Sequence, residues 1–114
     1  MKIKNDKRPW GNFRQFTENE VSTVKLIKVE SGQRLSLQKH LRRSEFWVVL
    51  AGNPIVTIDG QVSHAKVGDE FLIPQEAVHR LEAKENNVQI LEIAFGDFEE
   101  SDIIRLEDLY GRKS

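Results

Sequence analysis

The sequence contains no cysteine, and this absence excludes thiolate catalysis, disulfides, iron–sulfur clusters and cysteine zinc sites. It also lacks a surplus of charge of either sign, because 17 Lys and Arg stand against 18 Asp and Glu. A domain that binds nucleic acid normally carries a basic excess, so we expect no nucleic-acid partner. Polar chemistry must therefore come from histidine, carboxylates, amides, hydroxyls, lysine or arginine.

Long apolar segments are absent as well. No uninterrupted apolar run is longer than the stretch 46–51, whereas a membrane-spanning helix needs about 20 such residues. The first eight residues, Met1 to Arg8, contain no apolar stretch of the kind found in a secretory signal. We therefore expect a cytoplasmic protein with no membrane partner.

Short apolar runs separated by turn residues predict an all-β chain. Strands are predicted at 12–16, 23–29, 34–38, 45–50, 55–58, 61–65, 70–73, 79–83 and 88–95. Asp59-Gly60, between two of these runs, is typical of a two-residue hairpin turn. So many short strands in 114 residues favour a single domain, residues 1–114, built as a sandwich or a barrel.

The last part of the chain has a different pattern. Ile103, Leu106 and Leu109 would share one face of a helix, and Ser101 or Asp102 could cap its first turn. The sequence therefore predicts a short helical segment at the C-terminal end, within residues 99–114.

Four side chains with metal-ligand chemistry occur in the predicted strands or directly beside them. Gln38 and His40 lie two residues apart, so in a strand they project to the same face. Glu45 opens the next strand and His79 opens a later one. If these strands are neighbours, an amide oxygen, two imidazoles and a carboxylate converge on a site for one divalent ion of Zn, Mn, Fe, Co or Ni. The remaining histidine, His64, has no such partners in the sequence.

The order of these residues resembles the two sequence motifs of the cupin superfamily. The matching positions are Gly32, Gln38-x-His40, Glu45 and Gly52 in the first motif and Gly68, Pro74 and His79 in the second. Gln38 stands where a histidine is usual. Further segments are similar to the type II mannose-6-phosphate isomerase cupin domain: Arg8-Pro9-Trp10-Gly11, Leu35 to His40, Arg43-Ser44-Glu45, His79-Arg80-Leu81 and Asp102 to Arg112.

This resemblance implies a jelly-roll barrel over residues 8–98 that interconverts mannose 6-phosphate and fructose 6-phosphate through an enediol. It also implies that Gln38, His40, Glu45 and His79 are the metal ligands, since a divalent ion can stabilise the negative charge that develops on the sugar oxygens. Such domains commonly follow a mannose-1-phosphate guanylyltransferase. The 114 residues leave no room for that enzyme, so we expect the isomerase part alone.

Polar residues beside the predicted ligands are candidates for contact with the substrate. Arg80 follows His79 and could help to stabilise negative charge on the sugar, unless it simply points to solvent. Arg43 and Lys39 belong to a basic cluster that suits a phosphate, although such clusters are often only solvated. Glu92 lies within an apolar run and is a candidate for the proton-transfer base with a raised pKa, or else an outward residue of an edge strand.

Two positions depart from the family pattern: Phe46 replaces a histidine, and Glu76 replaces a glycine and is expected to adopt a positive φ. Two alternative functions stay open. One is another metal-dependent cupin enzyme such as a dioxygenase, because iron in the same ligand set could activate oxygen. The other is a sugar-binding module without catalysis, which Phe46 and the missing partner domain favour. The resemblance also implies a homodimer formed through edge strands.

Overall fold

The computed structural model describes residues 2–112, which form eleven β-strands and no helix. The strands are β1 Lys4–Arg8, β2 Gly11–Gln15, β3 Ser22–Val29, β4 Leu37–Lys39, β5 Arg43–Ala51, β6 Ile55–Ile58, β7 Gln61–His64, β8 Glu70–Ile73, β9 His79–Glu82, β10 Val88–Gly96 and β11 Ile104–Glu107. The all-β prediction is confirmed. Strand β1 has no counterpart in the prediction, and β4 is shorter than predicted, with Arg34 making only an isolated bridge to Glu82. The described part of the chain has no helix that could span a bilayer.

Two antiparallel sheets enclose one core. Their strand orders are β3-β10-β5-β8 and β11-β4-β9-β6-β7, and β1 and β2 form a separate hairpin. Large buried side chains from both sheets meet between them, including Trp47 and Ile90 from the first sheet and Val56 and Leu81 from the second. This arrangement is that of a jelly-roll barrel, in which alternate residues of each strand face the interior.

Strands β5 and β10 each place one carboxyl group in the barrel interior. Their inward-facing residues are mostly apolar, but Glu45 on β5 and Glu92 on β10 break that pattern and are 1% and 4% exposed. The two strands are adjacent, with Glu92 opposite Trp47 and Ala94 opposite Glu45. Two carboxyl groups therefore lie next to each other inside the barrel.

Phe46 points to the outer face of the same sheet. Its ring is buried and packs against Phe16, with 5.7 Å between ring centroids. This departure from the family pattern therefore takes part in packing beneath the N-terminal segment, on the face opposite Glu45.

The predicted C-terminal helix is wrong. Ile104–Glu107 form strand β11, which pairs antiparallel with β4 so that Ile104 lies opposite Lys39 and Arg105 opposite Gln38. Without β11, strand β4 would leave one edge of its sheet open. That long-range pairing, supported by the β-branched pair Ile103-Ile104, outweighs the weak local preference for a helix.

Candidate metal centre

Three buried side chains meet inside the barrel. His40 follows β4, Glu45 lies in β5 and His79 begins β9, and one nitrogen or oxygen atom from each lies within 4.8 Å of the other two. His40 Nε2 is 3.3 Å from Glu45 Oε2, and His79 Nε2 is 3.8 Å from Glu45 Oε1. Two imidazoles and a carboxylate at these separations could hold a divalent metal ion.

Backbone carbonyls orient both imidazole rings. His40 Nδ1 is 2.6 Å from the carbonyl oxygen of Asp102, and His79 Nδ1 is 2.9 Å from that of Ala77. A carbonyl oxygen can only accept, so each Nδ1 carries a hydrogen and each ring directs its Nε2 toward the centre. Burial lowers the pKa of His79, which favours the neutral form that a ligand requires. Its Nε2 is buried and has no hydrogen-bond partner among residues 2–112.

Glu45 is held as an anion. Trp47 Nε1 donates to Oε1 at 3.1 Å, and Arg43 Nε donates to Oε2 at 3.0 Å. Burial alone would raise the pKa of Glu45, but a hydrogen bond with Glu92, the positive charge that His40 and His79 carry when protonated, and the hydrogen bond from Arg43 outweigh that effect and keep the pKa below its ordinary value. An ionised carboxylate beside two imidazoles is the donor set of a mixed nitrogen and oxygen metal site.

Gln38 lies beside this group of three. It is opposite His79 in the pairing of β4 with β9, and it lines a cavity that also opens on His40 and Glu45. Its Oε1 accepts a hydrogen bond from Ser36 Oγ at 2.9 Å. The structure therefore brings all four residues of the predicted ligand set to one side of the barrel interior.

The turn before β9 also meets this region. Glu76 adopts a φ of 68°, as its place in the motif predicts, and its backbone N–H donates to the carbonyl oxygen of His40 at 2.8 Å. A non-glycine residue in this conformation costs about 1 kcal/mol. This hydrogen bond connects the turn before His79 to His40, the other histidine of the centre.

A cavity of about 220 Å³ opens on this group. Its charged lining residues, apart from His40 and Glu45, are Lys25, Arg43, Glu92, Glu100, Arg105 and Arg112. One water occupies about 30 Å³ of the liquid, so the cavity has room for a small polar molecule. A ligand inside it would meet His40 and Glu45 of the candidate metal centre together with several cationic side chains.

Glu92 faces this cavity from the middle of its sheet. It lies on β10, between β3 and β5, and so is neither outward-facing nor on an edge strand. Burial raises the pKa of Glu92 to about 8, and the charge of Glu45 and a hydrogen bond with it act in the same direction. The two neighbouring carboxyl groups are therefore held in different protonation states near neutral pH.

Arg43 is fixed among the candidate ligands. Besides its bond to Glu45, its Nη1 donates to the carbonyl oxygen of Glu99 at 2.9 Å, and its Nη2 is 3.3 Å from His40 Nε2. Its guanidinium also lies over the ring of Phe98, 4.5 Å from the centroid. All three of its side-chain nitrogens thus have protein partners.

Two residues singled out in the sequence lie away from the cavity. Lys39 is opposite Ile104 in the sheet and points away from the face that carries Gln38. Arg80 alternates with the buried His79 and Leu81, and its Nη1 is 3.4 Å from Glu107 Oε1. The structure brings together the four predicted ligands, Arg43 and Glu92, but it does not bring Lys39 or Arg80 to them.

The C-terminal segment contributes residues that the sequence did not assign. The carboxylate of Asp102 accepts hydrogen bonds from the backbone N–H groups of Leu41 and Arg42 at 2.9 and 3.0 Å, and its carbonyl orients His40. Arg105 and Arg112 line the cavity. The segment 102–112 contributed to the family resemblance. A helix was predicted there, and only the alternation of a strand directs the side chain of Arg105 to the interior.

Comparison with known proteins gives a consistent family match. The family model described as mannose-6-phosphate isomerase C-terminal matches residues 2–108. The chain is 40% identical over 107 residues to the mannose-1-phosphate guanylyltransferase ManC of Salmonella typhimurium, a match that covers 92% of this chain and 22% of that protein. It is also 40% identical over 108 residues to the alginate biosynthesis protein AlgA of Pseudomonas aeruginosa, covering 92% of this chain and 22% of that one.

The fold is also found among solved structures. A cupin protein from Bacteroides fragilis superposes with a TM-score of 0.59 at 15% identity, covering 77% of this chain and 90% of that one. At that identity the likeness concerns the fold alone, which hosts many unrelated chemistries. The chain spans 22% of the length of the two curated relatives above.

Proposed function

We propose, because the chain belongs to the mannose-6-phosphate isomerase C-terminal family, that its cavity interconverts mannose 6-phosphate and fructose 6-phosphate. The observation that carries this proposal is the meeting of His40, Glu45 and His79, whose ligand atoms lie within 4.8 Å of one another. Two of them, His40 and Glu45, line a polar cavity that has room for a small ligand.

The residues of this centre fit a divalent metal ion. His40 and His79 would bind it through Nε2, Glu45 would bind it as a carboxylate, and Gln38 is placed beside them. Such donors accept Zn, Mn, Fe, Co or Ni. A bound ion of this kind supplies Lewis-acid stabilisation of negative charge on the sugar oxygens.

The reaction requires a group that carries a proton between neighbouring carbons. From mannose 6-phosphate to fructose 6-phosphate, C2 loses its proton, C1 gains one, and the hydroxyl proton on O2 is replaced by one on O1. We assign the carbon-to-carbon transfer to Glu92, which lines the cavity next to Glu45. Only its carboxylate form can take the proton from C2 and return it to C1, and because burial raises its pKa to about 8, this form and the rate should increase as the pH rises toward 8. A positioned carboxyl group contributes about a hundredfold or more to such a step.

The remaining sequence-based roles stay predictions. Arg43 can reach a ligand in the cavity, but phosphate binding there would compete with its bonds to Glu45 and Glu99. Lys39 and Arg80 lie on strand faces turned away from the cavity. We therefore expect substitutions at Lys39 and Arg80 to change turnover less than a substitution at Glu92.

Conversion of mannose 6-phosphate by the purified chain tests this proposal. We expect fructose 6-phosphate to form after metal loading and to stop forming when a chelator is added. Sugar-phosphate binding without turnover, with any of the five metals, would indicate a binding module instead. Oxygen consumption with small organic substrates and no isomerisation would indicate a dioxygenase.

A further inference from the structure

We propose that Arg105 and Arg112, both from the C-terminal segment, form a phosphate-binding end of the cavity. The ligand class is a phosphate monoester, and the sugar that carries it is taken from the proposed function, on which this inference rests. No sequence-based role was assigned to either arginine, although both belong to the segment 102–112 that contributed to the family resemblance.

The position of Arg105 follows from strand register. Arg105 on β11 lies opposite Gln38 on β4, and Gln38 lies opposite His79 on β9. Directly opposite residues in a sheet project to the same face, so these three side chains share the face that lines the barrel interior. Neighbouring strands are about 4.8 Å apart, which puts the backbone of Arg105 about 10 Å from that of His79.

That separation matches the shape of the proposed substrate. The phosphate of a hexose 6-phosphate is attached to C6, whereas the reacting carbons are C1 and C2. With C1 and C2 near His79, the phosphate must be held farther along the cavity. Arg105 lies two strands from His79 and on the same face.

Arg112 reaches the same cavity from the end of the described chain. Its Nε and Nη2 donate to the two carboxylate oxygens of Asp108 at 2.9 and 2.8 Å, and its backbone N–H donates to Oδ2 at 2.6 Å. Asp108 thereby restricts the rotation of this guanidinium. A guanidinium fixed in this way loses less conformational entropy when it binds an anion.

The charge of the cavity wall also favours an anionic ligand. Four cationic side chains face three carboxyl groups there: Lys25, Arg43, Arg105 and Arg112 against Glu45, Glu92 and Glu100. Arg43 is bonded to Glu45 and Lys25 to Glu100, so the cations of the first sheet already have carboxylate partners in the wall. Arg105 and Arg112 bring two further guanidinium groups to this wall, and a guanidinium can bind phosphate in a bidentate manner.

Binding measurements on the full chain loaded with manganese test the inference. The probes are mannose 6-phosphate, inorganic phosphate and unphosphorylated mannose, each measured by calorimetric titration. We expect Arg105→Gln and Arg112→Gln each to weaken mannose 6-phosphate binding about tenfold or more, because each removes a charged hydrogen-bond donor. Metal content should stay at the wild-type value. Arg34→Gln, which makes the same change of charge outside this cavity, should bind like the wild type.

The outcomes separate this inference from the proposed reaction. Wild-type affinity for mannose 6-phosphate in both glutamine variants would overturn the inference, as would equal affinity of the wild type for mannose and mannose 6-phosphate. If the wild type binds through these arginines but does not isomerise the sugar, the inference stands and the proposed reaction fails. If the wild type does isomerise it, KM should rise in both variants more than kcat falls. If Arg105→Gln does not fold, the affinity for mannose 6-phosphate is measured with Arg105→Lys and Arg112→Gln instead.

Discussion

His79 is the residue on which the metal centre depends most clearly, because its Nε2 is buried and is presented to Glu45 without a protein hydrogen bond in the described structure. We predict that His79→Ala abolishes metal retention, since one of the three ligand atoms is then missing. Metal analysis of the purified variant after dialysis measures this directly.

The chain provides a matched control for that substitution. His64 lies on β7, is exposed, and is outside the group of three. His64→Ala should retain the wild-type metal content. Unchanged metal content in folded His79→Ala would show that the ligand assignment is wrong.

Glu92 provides the second test at the scale of single residues. We predict that Glu92→Gln lowers turnover of mannose 6-phosphate by about a hundredfold or more, because an amide of nearly the same shape cannot carry the proton. Metal content should be kept, since the proposed ligands are unchanged. Steady-state kinetics and metal analysis on the same preparation check both parts. A variant with wild-type kcat would remove Glu92 from the proton transfer.

Residue spacing was sufficient to predict the ligand candidates but not the network around them. Gln38 and His40 are two apart at the end of β4, so period-two alternation directs them to one face, and Glu45 lies near the start of the next strand. The bond of Arg43 to the carbonyl oxygen of Glu99 joins residues 56 positions apart. No local pattern contains that information, and the same holds for the orientation of His40 by Asp102.

At the scale of elements, the loop between β5 and β6 depends on Gly52. Its φ is +82°, and a Cβ there would lie 2.2 Å from the carbonyl oxygen of Asn87, in the loop before β10. We predict that Gly52→Ala lowers the free energy of unfolding by well over 1 kcal/mol, because backbone strain and a steric clash add together. Urea unfolding followed by circular dichroism measures the loss.

Gly60 separates these two causes. It has the same φ of +82° in the β6–β7 hairpin, but a Cβ there would meet no atom within 4 Å. Gly60→Ala should therefore cost only about 1 kcal/mol, from the backbone alone. Equal losses in the two variants would show that the close approach of Gly52 to Asn87 does not contribute.

The elements were predictable where the local signals agreed. Asp59 and Gly60 both adopt positive φ, as the predicted two-residue turn requires, and the alternating apolar runs became strands. The C-terminal segment was not predictable in this way, because its spacing of Ile103, Leu106 and Leu109 suits a helix. It became β11 through pairing with β4, a contact between distant parts of the chain.

At the scale of the whole molecule, the outer face of the first sheet is apolar. Opposed residues across its strands form one row of Val24, Ile93, Phe46 and Leu72 and another of Leu26, Leu91 and Val48. The N-terminal segment covers Phe46, but Val24, Leu26 and Leu72 are more than half exposed. Val24 and Leu26 belong to β3, the edge strand of that sheet. An open apolar edge of this kind is normally covered.

We therefore predict a homodimer in which this face and edge are buried. Light scattering should give a mass of about twice 13.2 kDa, and Leu26→Lys should give the monomer mass, because a buried lysine without a partner is costly. Val62→Lys, at an exposed position of β7 in the other sheet, is the matched control and should stay dimeric. A monomeric wild-type chain at working concentration would contradict this prediction.

Titration of the metal-free chain with a divalent ion tests most directly whether the centre of His40, Glu45 and His79 makes this chain an isomerase. Manganese is added stepwise while bound metal and the rate of fructose 6-phosphate formation are followed in the same sample. We predict that the rate rises in proportion to bound metal and levels off at about one ion per chain. A folded chain that binds one ion but converts no mannose 6-phosphate, with manganese or with Zn, Fe, Co or Ni, would contradict the proposed activity.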